Sequence, residues 1–393
     1  MPKSIPAQVS PELLVWARTT AGLTADAAAR KAQLKPSTLQ EWERGTGGPS
    51  IAQLRRLGEV YKRPLGVFFL SKPPQGFDPQ REFRRLPGVT PQNETPELRF
   101  ALRTALFRRE AAKEVYERLG EEMPSSKASV TPDEDPEAVG LRIREVLGVD
   151  WRSQVEWPSA YAALNAWREA VEETGVLVFQ TGGVELREMR GTSIPHGPLP
   201  VIVINNADAP HGRIFTLLHE FTHILLTNGG NETSAIEGRR APEEQKLEQA
   251  SNRFTAAALM PRQEFLQELE SNRLVLRGDD NALRRFANRI KVSPEAILRR
   301  LLTLRRISAQ LYSKKRQEWQ GRSWFRQPDT EGGPPIQVKV ISRVGRAFVS
   351  LILEGYQRNA ISSVDVSDYL GIQLKYLDRV AAELVTRPSA PAH

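Results

Sequence analysis

Between residues 11 and 70 apolar side chains return every three or four positions, and a cap or a breaker closes each run. Leu13, Leu14, Ala17 and Ala21 share one face of a first segment, which Gly22 ends. Thr24 then stands as an N-cap before Ala27, Ala28 and Ala32, small residues that let a neighbouring helix come close. Pro36 and Gly45 bracket a short third helix, and Ser50 caps a fourth with Ile51, Leu54, Leu57 and Tyr61 at helical spacing. The pattern predicts a compact five-helix unit within residues 1–72. Two of its short helices, joined by a tight turn, suit a helix-turn-helix that lays its second helix in a DNA major groove.

The pattern then changes. Residues 71–97 are rich in Pro and polar side chains and read as a linker, followed by a helix from about Leu98 to Leu119 and a loop that ends at Pro136 and Glu137, so residues 73–150 are linker and connecting helices. Residues 161–176 form an amphipathic helix, and "VLVFQ" and "LPVIVIN" are β-branched runs of strand length. "RIFTLLHEFTHILL" returns to the helical period, with Phe215, Leu218, Phe221, Thr222 and Leu225 available for the buried side. A glycine-rich loop, "TNGGNETSAIEGRRAPEE", is long enough to gate a cleft. Between Pro242 and Pro261, Leu247, Phe254, Ala258 and Leu259 line one face of another helix. Residues 281–304 read as helix, turn, helix, and residues 335–386 as a small helical C-terminal unit before a disordered tail at 387–393. The expected fold class is α+β and mostly helical.

Composition narrows the chemistry. With no cysteine in 393 residues, disulfides, thiolate metal sites and cysteine nucleophiles are excluded, and any metal must be held by His and carboxylates. No apolar run approaches the roughly 18 residues of a membrane helix, and the opening "MPKSIPAQVS" has no apolar segment for export, so a cytoplasmic protein with no membrane partner is expected. The net charge is +8, unevenly spread. Residues 1–75 hold eleven Lys/Arg against five Asp/Glu, and residues 284–326 hold thirteen against two, which leaves the middle neutral to acidic. The first basic block agrees with a DNA-binding unit. The second is read as a solvated face, the usual state of a charge run.

Two of the five histidines, His219 and His223, lie four apart with Glu220 beside the first. On a helix this spacing points both imidazoles at one ion, while Glu220 sits one position round, where it suits a general base for water rather than a ligand. A catalytic zinc takes three protein ligands and keeps its fourth position open, so a third is required. Glu248 is the candidate, with Asn252 one turn later able to orient a ligand histidine. Glu244 competes one turn earlier, and Glu243 less well. His211, His196 and Tyr312 are candidates for stabilising an oxyanion.

These residues carry two resemblances. Leu23-Thr24, Ala29, Ser37-Thr38 and "WERG" followed by Pro49-Ser50 resemble the XRE (Cro/repressor-like) helix-turn-helix family. That resemblance makes residues 36–44 the recognition helix and Lys35, Ser37, Thr38, Gln40 and Arg44 the DNA-facing residues. Ala25 stands where the family usually has a phosphate-contacting Gln. "RIFTLLHEFTHILL" with "LEQASNRFTAAALMP" resembles the ImmA/IrrE metallopeptidases, with Thr222 in place of a small Gly. It implies a zincin-like domain over residues 151–325, with His219, His223 and Glu248 as metal ligands, Glu220 as catalytic acid/base and Asn252 behind them. The implied cofactor is Zn2+, with Mn2+ or another divalent ion as the alternative. The implied substrate is an XRE-type repressor or antitoxin, and homodimerisation is left open.

Two functions of different class follow. One is a regulatory endopeptidase fused to a DNA-binding domain. The other is a transcriptional regulator whose zincin domain senses a metal or ligand and cuts nothing. The intact Glu220 favours the first, because a sensor needs ligands but no base.

Overall fold

The computed structural model describes residues 7–74, 95–229, 241–319 and 333–386. The expected gating loop lies largely outside these residues, as do most of the linker and the whole expected tail. Two compact units divide the chain, residues 1–104 and 105–393. Among the described residues, eighteen α-helices and one three-stranded sheet make the fold α+β and mostly helical.

The first unit holds α1 (Pro11–Thr20), α2 (Ala25–Lys31), α3 (Pro36–Glu43), α4 (Ile51–Tyr61) and a 3-10 turn at Leu65–Phe69, so the fifth expected helix is a 3-10 turn. Its ends form as the sequence dictates. Thr24 accepts from the Ala27 N–H, and Ser50 and Gln53 satisfy each other's backbone N–H groups as a capping box. Leu14, Ala17, Ala28, Ala29, Leu39, Leu54, Leu57, Tyr61 and Phe68 close the core. Ile51, expected on that face, is 44% exposed, because it sits in the first turn of α4 ahead of the packed face. Arg18 of α1 grips Glu43 at the end of α3 through Nε and Nη2 of its guanidinium, at 2.7 and 2.9 Å. This fork fixes the angle at which α3 is presented.

The second unit is built on the sheet. α5 (Pro96–Leu119) leads into it, followed by α6 (Pro136–Val146), α7 (Trp151–Glu156) and α8 (Ala160–Glu173). The strands are β1 (Leu177–Thr181), β2 (Gly191–Ile194) and β3 (Val201–Asn205). Their order is β1-β3-β2, with β1 parallel and β2 antiparallel to β3. "LPVIVIN" is therefore the central strand, which explains why all five of its strand residues are buried.

α9 (Pro210–Asn228) packs on β2, β3, α8 and α10 (Ala241–Leu259), and α6 lies along α10. Val178, Ile202 and Ile204 join α9 in one large core. α11 (Arg262–Glu270), α12 (Asp280–Ile290), α13 (Pro294–Thr303) and α14 (Ala309–Glu318) follow.

The C-terminal helices α15 (Ile336–Val344), α16 (Arg346–Gln357), α17 (Ser363–Leu370) and α18 (Leu377–Thr386) brace the sheet from its other side. Phe179 of β1 meets Phe348 of α16 edge-on at 5.5 Å. A buried ion pair fastens the junction. Arg168 bonds Glu172 at 2.9 Å and donates to the carbonyls of Ile341 and Ser342 at the end of α15, while Glu172 accepts from the Ala347 N–H that starts α16. Gly345 makes the corner between the two helices at φ +87°, where a Cβ would strike the Glu172 carboxylate.

Glu172→Ala leaves Arg168 buried without its counter-charge and is expected to cost about 3–5 kcal/mol. Urea denaturation of the full chain is the measurement. Loss of well under 1 kcal/mol would show that the pair does not hold the junction.

Candidate functional site

α9 is apolar nearly all round. Ile214, Leu217, Leu218, Phe221, Thr222, Ile224 and Leu225 are all buried, and His219, Glu220 and His223 occupy the one partly open edge. Thr222 spends its hydroxyl inside the packing, bonding the Leu218 carbonyl at 2.8 Å and lying 3.4 Å from Thr255 of α10. The bulk of Thr in place of Gly is thus absorbed between the helices that carry the site.

Three donor atoms converge. His219 Nε2 and His223 Nε2 are 3.1 Å apart, and Glu248 Oε2 is 3.4 Å from each. A tetrahedral ion with bonds of about 2.0–2.1 Å would hold neighbouring donors about 3.3 Å apart, so this triangle fits one such ion. Two imidazoles and a carboxylate are also the donor set that zinc favours. His219, His223 and Glu248 therefore form a candidate His/His/Glu metal site. Glu243 is exposed and outside the cluster, and the Glu244 side chain is outside what is described.

The electrostatics follow from the same geometry. Burial opposes charge on His219, but the hydrogen bond to Glu248 and the fields of Glu220 and Glu248 outweigh it and raise its pKa. Hydrogen bonds from His219 and His223 hold the Glu248 carboxyl well below the usual carboxylate range. A proton here occupies the place that an ion would take, so ion and proton compete.

Asn252 does something other than expected. Its Nδ2 donates to the Glu248 carbonyl at 2.8 Å and to Glu248 Oε1 at 3.1 Å, so it steers the carboxylate and not a histidine. Oε2 is left for the ion.

Sequence reasoning missed Ser193. Its Oγ donates to Glu220 Oε2 at 2.8 Å from β2, a strand whose "GTSI" has no alternating apolar pattern to announce it. Beside it Gly191 lies so close to α9 that a Cβ would fall 2.2 Å from Thr216 Cγ2. That approach is what brings the strand within reach of Glu220.

The oxyanion candidates separate. His211 is two turns before His219 on α9, about 12 Å along the axis at 1.5 Å per residue. Burial and then Lys291 push its pKa down to about 4, so it is neutral at pH 7. Tyr312 packs against the large core. His196 is half-buried three residues after Ser193, and its carbonyl accepts from Arg109 at 3.1 Å.

In the first unit, Lys35, Ser37, Gln40 and Arg44 are exposed on and beside α3, and Thr38 is half-buried. Arg44 Nε bonds the Gln40 carbonyl at 3.2 Å.

Asn252→Leu removes the clamp on Glu248 and is expected to weaken Zn2+ binding about 10–100-fold, read by competition with a chromophoric chelator. Because His219 is raised above its ordinary 6.5, its proton blocks the site at low pH, and Zn2+ affinity should fall as pH drops through that raised value. A pH-independent affinity would contradict this reading of the site.

Residues 171–302 match the family model of the IrrE N-terminal-like domain, a metallopeptidase family, and residues 14–68 match that of a helix-turn-helix domain. The first match extends over α12 and almost all of α13, so the second helix-turn-helix-like pair lies within the peptidase-type domain. No curated protein matches the chain. The chain thus carries an XRE-type helix-turn-helix domain followed by an IrrE N-terminal-like domain.

Proposed function

We propose that the protein is a metal-dependent regulatory endopeptidase, cytoplasmic and tethered to DNA, that cuts an XRE-type repressor or antitoxin. The observation that carries this reading is the triangle of His219, His223 and Glu248 with a carboxylate, Glu220, next to it that is not one of the three converging donors. A sensor requires only the triangle.

His219, His223 and Glu248 would hold Zn2+ or another divalent ion, which when bound would supply Lewis-acid activation of a water and of the scissile carbonyl. Glu220 takes the proton of the attacking water and delivers it to the leaving nitrogen. Ser193 engages only Oε2, and among the described residues Oε1 has no hydrogen-bond partner, so one oxygen is left for this task. The substrate lies extended along the sheet edge. That edge belongs to β2, because β3 is paired on both sides. His196, just beyond β2, is the oxyanion candidate that the position favours.

The DNA-contacting residues are assigned to α3 and its flanks: Lys35, Ser37, Thr38, Gln40 and Arg44. The exposure of Lys35, Ser37, Gln40 and Arg44 and the basic excess of the first unit support this.

The decisive experiment incubates the Zn2+-loaded full chain, and separately Glu220→Gln, with purified XRE-type repressors. Cleavage by the first alone, with Zn2+ affinity unchanged in the second, is the expected result. Specific operator binding with no repressor cut would establish the sensor function instead. Gln40→Ala is expected to weaken specific DNA binding by about 1–3 kcal/mol and leave non-specific binding unchanged. Equal loss on both kinds of DNA would remove Gln40 from base recognition.

A further inference from the structure

Ser193 occupies a position that no motif marks. It is 1% exposed, although serine is ordinarily a surface residue, and its hydroxyl points at the one carboxylate that the proposed chemistry requires. Cross-strand pairing fixes that direction. Gly191 stands opposite Ile204 and Ser193 opposite Ile202, and both isoleucines belong to the core under α9. Side chains of paired residues share a face, so Ser193 must face α9.

Its backbone faces the other way. The Asn205 N–H bonds the Arg190 carbonyl, which makes Arg190 and Asn205 a hydrogen-bonded pair of the antiparallel ladder. Such pairs alternate. Thr192 and Ile194 therefore turn their backbone groups toward β3, while Gly191 and Ser193 turn theirs to the open edge.

We infer that Ser193 is a positioning residue with two attachments. Its hydroxyl holds Glu220 by Oε2 and so aims Oε1 at the reacting water. Its N–H and C=O receive the backbone of an extended peptide. The peptide is thereby registered against the residue that orients the base, and a slip of one position along β2 would replace these outward groups with ones already bonded to β3.

A carboxylate on an sp3 side chain has several staggered rotamers, and a half-buried Glu without a partner would divide its time among them. One hydrogen bond from a buried strand selects the productive one. The close approach at Gly191 keeps the strand near enough for that bond.

This inference rests on the endopeptidase reading, and two measurements separate the fate of each. In the repressor-cleavage assay, Ser193→Ala is expected to lower kcat about 10–100-fold with KM within about twofold and Zn2+ affinity unchanged. An unchanged kcat, or a loss seen only in KM, would overturn it, since a strand that merely docks substrate moves KM alone.

The second measurement needs no substrate. In a double-mutant cycle of Ser193→Ala and Glu220→Ala, followed by urea unfolding of the Zn2+-loaded full chain, the equilibrium constants should couple by about fivefold. Strict additivity would refute the Ser193–Glu220 link even if repressors are cut. Coupling without cleavage of any repressor would keep the link and discard the endopeptidase reading.

Discussion

The structure depends on how completely α9 is enclosed. Two sheet strands, α8 and α10 surround it, and from Ile214 to Leu226 every position but Phe215, His219, Glu220 and His223 is buried. A helix packed on so many sides cannot rotate or slide without opening voids in a close-packed interior. The single edge left partly open must therefore present its three polar side chains in one orientation. Glu248 reaches the same point because α10 is locked to α9 through Thr222 and Thr255, and Asn252 then removes the last freedom of the carboxylate. Preorganisation here is a property of packing, with hydrogen bonds refining it.

Much of this was legible in the sequence, for a physical reason. Helical period, caps and the four-residue spacing of His219 and His223 are local, and local patterns survive in one dimension. Thr24, Ser50, Pro36 and Pro136 cap or open the helices that their chemistry dictates. Glu248 was reachable because it lies on a clear amphipathic helix next along the chain. What failed was pairing. A strand of four residues with a glycine and two hydroxyls carries no period, so β2 went unread, and nothing in "LPVIVIN" itself tells that it is the central strand, paired on both sides. Asn252 was read as orienting a histidine, but its amide bonds Glu248, since spacing fixes which turn a side chain is on and not which atom it reaches.

The second basic block shows how charge misleads when it is counted along a chain. Several of its cations are spoken for by acids elsewhere in the fold. Arg300 forks Glu137, Arg289 meets Glu268, and Lys315 bonds Asp280. Arg300 also donates to the Met260 carbonyl, so it is a buried tie between α13, α6 and the end of α10. Part of the excess seen in sequence is thus paired within the fold, where the solvated-face reading left it to water.

The same buried arginine logic bears on where a peptide can dock. The Leu177 N–H bonds the Pro200 carbonyl and the Asn206 N–H bonds the Thr181 carbonyl, so Leu177, Phe179 and Thr181 turn toward β3 and Val178 turns outward. Arg168 donates to that outward Val178 carbonyl while holding the end of α15 and Glu172. An arginine at 4% exposure thereby closes β1 to strand addition and recruits the C-terminal helices to cover it. Among the described residues the sheet has two edges, and this one is plugged. The open edge among the described residues is the one beside Glu220, so the helices that looked unrelated to the site in sequence leave the proposed peptide substrate a single strand on which to pair.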